Sequence, residues 1–150
     1  AELCFTPAAV QELRTMCEAV GEALNLTVEG YVARSASVAR TVEPLEEVVD
    51  TLKERLKSRH IDRLSNSECT MQVGIPFLDI VHDLEKISDH CSNIAIYTIQ
   101  LCEGAEEFDT HAYAKQAYKD SAQFKEKLRF YQQKYVTQID AIESPDGAIG

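Results

Sequence analysis

Glu85 and Asp89 stand four residues apart within Asp83-Leu84-Glu85-Lys86-Ile87-Ser88-Asp89-His90-Cys91-Ser92-Asn93-Ile94-Ala95, and Glu46 and Asp50 repeat that spacing upstream. In a helix, four steps of about 100° bring two side chains to within about 40° of each other on one face. Two carboxylates stacked that way repel unless a cation lies between them. Two such pairs on neighbouring helices would supply the oxygen cluster that a hard cation prefers. Oxygen-only donors suit Mg²⁺, Ca²⁺, Mn²⁺ or iron and argue against a thiolate zinc site. Val81 and Ile96 project near Glu85, so this acid pair shares its face with apolar residues and is expected to be partly desolvated. Glu46 and Asp50 instead share a broad charged face with Glu43, Glu47, Glu54, Lys53 and Lys57. For that pair alone, a solvated helix face is the commoner explanation.

The elements that must position these acids are helical. The chain has 150 residues with only six Gly and four Pro, and 45% of its residues are hydrophobic. Low Gly and Pro with abundant Leu, Ala, Glu and Lys favour long helices. A first helix is predicted from Pro7 to about Arg40, with Thr6 as its cap and a Phe5–Val10 hydrophobic staple across it. Its stripe is Val10, Leu13, Cys17, Val20, Leu24, Tyr31, Val38 and Val42. Glu43-Pro44 is read as a break, because the residue before a proline is pushed out of the α region. A second helix is predicted from Pro44 to about Leu64, followed by a loop at Ser65–Glu68. A third is predicted from Gly74–Pro76 to Glu103, with Gly104 as its terminator and Ile80, Ile87, Ile94 and Leu101 as a heptad seam facing the bundle. After an acidic linker at Gly104–Asp109, a more polar helix is predicted from Thr110 to about Val136 (stripe Tyr113, Ala117, Phe124, Leu128, Tyr131, Tyr135), packing on the outside of the bundle or reaching a partner. The tail from Ser144 reads as disordered. The fold class is thus all-α: an antiparallel three-helix bundle over residues 1–104, a C-terminal helix over 105–140 and a tail over 141–150.

The net charge of −10 and the lack of a Lys/Arg stripe exclude nucleic acid as a natural partner. Five scattered cysteines without a C-x-x-C read as reduced thiols, with Cys17 and Cys91 as small core residues. No apolar run is long enough to cross a bilayer. Nucleophile–base pairs, a phosphate-cradling Gly-rich loop and paired E-x-x-H motifs are missing, so an enzyme is not expected. His60 is placed near a helix C-terminus, where a cation suits the dipole. His82 stands about 60° from Glu85 on the same helix, and His90 is a candidate orienter behind Asp89.

The stretch from Asp83 to Ala95 resembles the acidic signature of the PhoU family, with Lys86 where the family has Arg and Ser88 where it has Gly. Glu46-Glu47-Val48-Val49-Asp50 resembles that family's other acidic motif. Arg59-His60-Ile61-Asp62-Arg63-Leu64, with Cys69 and Gly74 downstream, is similar to the second repeat of the PhoU-like domain of sodium/phosphate cotransporter-type membrane proteins. So is Leu3-Cys4-Phe5-Thr6-Pro7. His111 and Tyr131 to Tyr135 fit the family's tail. The resemblance implies a three-helix repeat unit and metal ligation by Glu46, Asp50, Glu85 and Asp89, with Glu47 and Asn93 next in line. The implied cofactor is a di- or trivalent metal ion: iron, manganese, magnesium or zinc. The implied role is regulatory, on the cytoplasmic face of the cell membrane, tuning phosphate transport through a transporter domain outside this sequence. A homo-oligomer through the seam left by a missing first repeat is a further expectation. The rival readings are a free-standing PhoU-type phosphate-uptake regulator and a metal-free helical interaction domain.

Overall fold

The computed structural model describes residues 4–104 and 118–143. They form α1 (Pro7–Val32), a short α2 (Ala36–Ala39), α3 (Val42–Ser65), α4 (Met71–Glu103), α5 (Ala122–Tyr131), a π-helical stretch (Gln132–Val136) and α6 (Thr137–Asp140). There is no strand among the described residues, so the all-α class holds. The acidic linker, the start expected at Thr110, His111, Tyr113, Ala117 and the tail from Ser144 lie outside the described residues.

Thr6 caps α1 as expected, its Oγ1 accepting from the Ala9 amide at 3.1 Å, with Pro7 in the first turn. Val10 is 40% exposed, and Phe5 packs edge-on against Phe77 of α4 at 6.1 Å between ring centroids. The long first helix is also two helices. Arg34 takes a left-handed φ of 52°, Ser35 caps a new start, and the chain folds back so that Ala39 lies over Gly30. A Cβ at Gly30 would stand 3.1 Å from the Ala39 amide nitrogen, so the bare glycine is what admits this return.

Pro44 does not delay α3, which starts two residues earlier at Val42. A proline in the first turn surrenders an N–H that has no helical partner there. The same tolerance does not extend to Pro76. Helix α4 starts at Met71, three residues before the predicted onset, and so carries Pro76 inside it. Gly104 ends α4 as expected, at φ 70° with its amide on the Gln100 carbonyl at 3.0 Å.

Long-range contacts fix α1, α3 and α4 as an antiparallel trio. Glu12 near the start of α1 meets Arg63 at the end of α3, and Ser92 late in α4 meets Glu43 early in α3. The core is Met16, Val42, Leu45, Val48, Val49, Leu52, Leu56, Phe77 and Val81 with a set of alanines. The heptad seam is a correction: Ile80, Ile87, Ile94 and Leu101 are 37–46% exposed. The inward stripe of α4 is Phe77, Val81, Ser88, Cys91, Ser92, Ala95 and Thr98. On α1, likewise, Cys17, Leu24 and Tyr31 face outward while Ala9, Ala19, Ala23 and Gly30 face in. Small residues on both facing stripes let the two backbones approach, and the large aliphatics are left on the outer flank.

The C-terminal helix packs against the bundle. Phe124, Tyr131, Tyr135 and Ile139 are buried, and the last three belong to the main core. The stripe read from Phe124 to Tyr135 is the one that packs inward, and the helical run continues to Asp140.

Candidate metal centre

Helix α3 projects Glu43, Glu46, Glu47, Asp50 and Lys53 along one side, and antiparallel α4 projects Ser92, Asp89 and Glu85 opposite them. Carboxylate oxygens of Glu46, Asp50 and Asp89 all lie within 4.8 Å of one another. Two ligands of one ion are separated by at most twice the metal–oxygen distance, about 4–5 Å for bonds of about 2.0–2.6 Å. The donor set therefore fits a hard cation both in chemistry and in span. Glu46 is buried and Asp50 half-buried, with Asp89 on the solvent side.

Charge explains why the cluster is costly as it stands. Burial pushes the Asp50 carboxyl above its ordinary range, and the nearby charges of Glu85 and Asp89 push it the same way. Lys53 and a hydrogen bond with Glu46 pull against them. Glu85 is not one of the trio and pairs with Lys53, whose Nζ lies 3.4 Å from its Oε1. Burial works against the Lys53 ammonium, but Glu85, Asp50 and Glu54 hold it above its ordinary range. The structure thus brings together three of the four expected residues and gives the fourth an ammonium partner.

Other sequence candidates fall elsewhere. Glu47 is engaged by Lys119 at 2.6 Å. Asn93, His82 and His90 are exposed. Ser88, where the family signature has Gly, is fully buried in the bundle rather than standing among the carboxylates. Its hydroxyl has no hydrogen-bond partner among the described residues. Sequence reasoning missed two contributors. Ser92 donates to Glu43 Oε2 at 2.6 Å, and its position seven residues after Glu85 on the same face was the available signal. Lys119 reaches the row from a distant segment, with no local signal at all.

A second polar cluster lies at the opposite end of α3. Glu12, fully buried, accepts from Arg63 at 2.6 Å and pairs with Arg59 at 3.2 Å. Burial pushes the Glu12 carboxyl up, and the two guanidinium groups pull it back. His60 corrects the dipole reading: it is 2% exposed and stacks on Phe77 with centroids 5.3 Å apart. Burial lowers its pKa, and the Arg63 charge adds to the effect.

The described residues thus form a helical bundle with a carboxylate cluster on one helix pair. The PhoU domain model matches residues 13–98, more than half of the chain. The chain belongs to the PhoU family, a regulatory family whose membership points to phosphate transport. No curated protein and no solved structure matches it. Among the described residues, no helix is long and apolar enough to cross a membrane.

Proposed function

We propose that the chain is the PhoU-like regulatory domain of a sodium/phosphate cotransporter-type protein, equivalent to the second repeat of that domain. In this reading it acts at the cytoplasmic face of the membrane and tunes phosphate movement through a transporter domain outside this sequence. Support comes from the family match over residues 13–98 together with the cotransporter-like segments Phe5-Thr6-Pro7 and Arg59–Leu64. Regulation is through a metal ion held by Glu46, Asp50 and Asp89, with Glu85 as a fourth oxygen donor once Lys53 releases it. Bound there, the ion would supply positive charge between two helices. The chain's own part is to hold three carboxylates from α3 and α4 at one point, so that the packing of those helices depends on the charge between them.

The convergence of the three carboxylates within 4.8 Å carries the metal part of this reading. Its test is equilibrium dialysis of the purified chain against Mn²⁺, Fe²⁺ and Mg²⁺, beside Glu46→Gln and Asp89→Asn. Wild type is expected to retain metal and to melt at a higher temperature with it, and each variant to bind at least about tenfold more weakly. Equal retention in all three proteins would remove the site. In the complete reading frame, Asp89→Asn at matched expression is expected to change phosphate uptake. Unchanged uptake would separate the site from transport.

A further inference from the structure

The acidic row on α3 carries cations of its own. Lys119 is helical and stands just before the turn that leads into α5, with Nζ 2.6 Å from Glu47 Oε1 and 4.0 Å from Glu43 Oε1. Its hydrogen bond to Glu47 is the main cause holding its ammonium above the ordinary range, and the charges of Glu43 and Glu46 add to it against burial. At the other end of the row Lys53 pairs with Glu85. The trio Glu46, Asp50 and Asp89 therefore lies between two ammonium groups with different roots. Lys53 belongs to α3 itself and can let go of Glu85 without moving another element. Lys119 belongs to the segment that enters α5. Beside it, Tyr118 Oη donates to the Arg40 carbonyl at 2.5 Å, and its ring packs edge-on against Phe124. The entry of α5 is thus held near the start of α3 by the Tyr118–Arg40 hydrogen bond and by the ion pairs of Lys119 with Glu47 and Glu43, and the ion pairs depend directly on the charge of the row.

We infer that Lys119 is a tethered counter-ion of the acidic row, which competes with a divalent cation at Glu46, Asp50 and Asp89, so that cation loading loosens the entry of α5 from α3. This rests on the cation-binding reading above and adds its regulation. The carboxylates that would attract the cation are the ones whose field holds Lys119. Two positive charges introduced beside Glu46 cancel much of that field, and the ammonium loses its reason to remain. The coupling is reciprocal: whatever loosening the cation causes, removing Lys119 must tighten the cation. The loosened element buries Tyr131 and leads on to the buried Tyr135 and Ile139, which gives a local charge event a route to the core of the bundle.

The test is Mn²⁺ titration by calorimetry of the full chain as wild type, Lys119→Gln, Lys119→Arg and Lys53→Gln, with hydrogen exchange of residues 118–131 followed by mass spectrometry. At 30% side-chain exposure, Lys119 is open enough for Gln to be accommodated without refolding. Lys119→Gln is expected to bind Mn²⁺ about fivefold tighter, since one nearby positive charge is gone. Its 118–131 amides should exchange about threefold faster without Mn²⁺ and change no further when it is added. In wild type and Lys119→Arg, Mn²⁺ should accelerate that exchange. Lys53→Gln should tighten Mn²⁺ without altering exchange at 118–131. If wild type binds Mn²⁺ but Lys119→Gln shows the same affinity and the same exchange, the tether is overturned and the cation site stands. If wild type binds no Mn²⁺, the site and the tether fall together.

Discussion

At the scale of single residues, the two ends of α3 handle buried charge in opposite ways. At one end Glu12 is neutralised within the protein by Arg63 and Arg59. Removing one partner of a buried pair leaves the other charged and dry, at a cost of about 3–5 kcal/mol. Glu12→Ala is therefore expected to lower the unfolding free energy by about that amount, read as a shift in the urea midpoint at unchanged slope. Beside that pair, His60 is buried among Phe77, Gly74, Arg63 and Cys69 Sγ, the last 4.0 Å from its Nδ1. Burial and the Arg63 charge both disfavour an imidazolium there. Because the folded pKa lies below the unfolded value of about 6.5, the unfolded chain takes up the proton first. Stability is then full above about pH 6.5 and declines as pH falls toward the folded pKa. Other groups titrate in the same range, so the informative quantity is a difference. Unfolding free energies of wild type minus His60→Leu, measured from pH 7.5 to 5, should fall with pH. A flat difference would mean that His60 accepts a proton in place.

At the scale of elements, α4 holds the main local conflict between sequence and structure. Pro76 lies within the helix and cannot donate to the carbonyl four residues back. Its side chain is exposed, so an alanine there need not disturb packing. A proline in a helix interior costs up to about 3 kcal/mol relative to alanine, and part of that returns as extra entropy in the unfolded chain. Pro76→Ala should raise stability by about 1–2 kcal/mol in denaturant titration. No change would show that the first turn of α4 is frayed in solution. The same helix shows what was legible in the sequence. The Gly104 stop is a local property of one helix and is legible in the sequence. The facing of Ile80, Ile87, Ile94 and Leu101 is not, because periodicity reports that a stripe exists and not what lies against it. Ser88, Cys91, Ser92, Ala95 and Thr98 form a stripe just as regular, and close approach to α1 selects it. The Glu46–Asp50–Asp89 convergence was legible from two short motifs. Lys53 taking Glu85, and Lys119 crossing to Glu47, depend on tertiary placement that no local pattern encodes.

At the scale of the whole molecule, the question is whether the three-helix trio is a stable unit without the C-terminal helix. The sequence reading gives residues 1–104 as a three-helix unit followed by a C-terminal helix. The packing ties the two together. Phe124, Tyr131, Tyr135 and Ile139 are each 0–3% exposed, and Tyr135 hydrogen-bonds Glu22 of α1 through its hydroxyl. Burial pushes the Tyr131 phenol up to about 12, and Tyr135 higher, so both hydroxyls stay neutral across the physiological range. Burying a large apolar side chain contributes about 1.5–3 kcal/mol, and four of them amount to about 6–12 kcal/mol. That is comparable with the whole stability of an ordinary domain, about 5–15 kcal/mol. A chain ending at Gly104 should therefore keep much of its helical far-ultraviolet signal while losing cooperative unfolding and binding a hydrophobic dye. Ile139→Ala in the intact chain, a milder change, should cost about 2–5 kcal/mol and remain cooperative. If the truncated chain unfolds in one sharp transition at the same denaturant midpoint as the full one, α5 and α6 are an appendage. Loosening α5 would then leave the bundle untouched, and the carboxylate cluster would have no path through this helix to the rest of the protein.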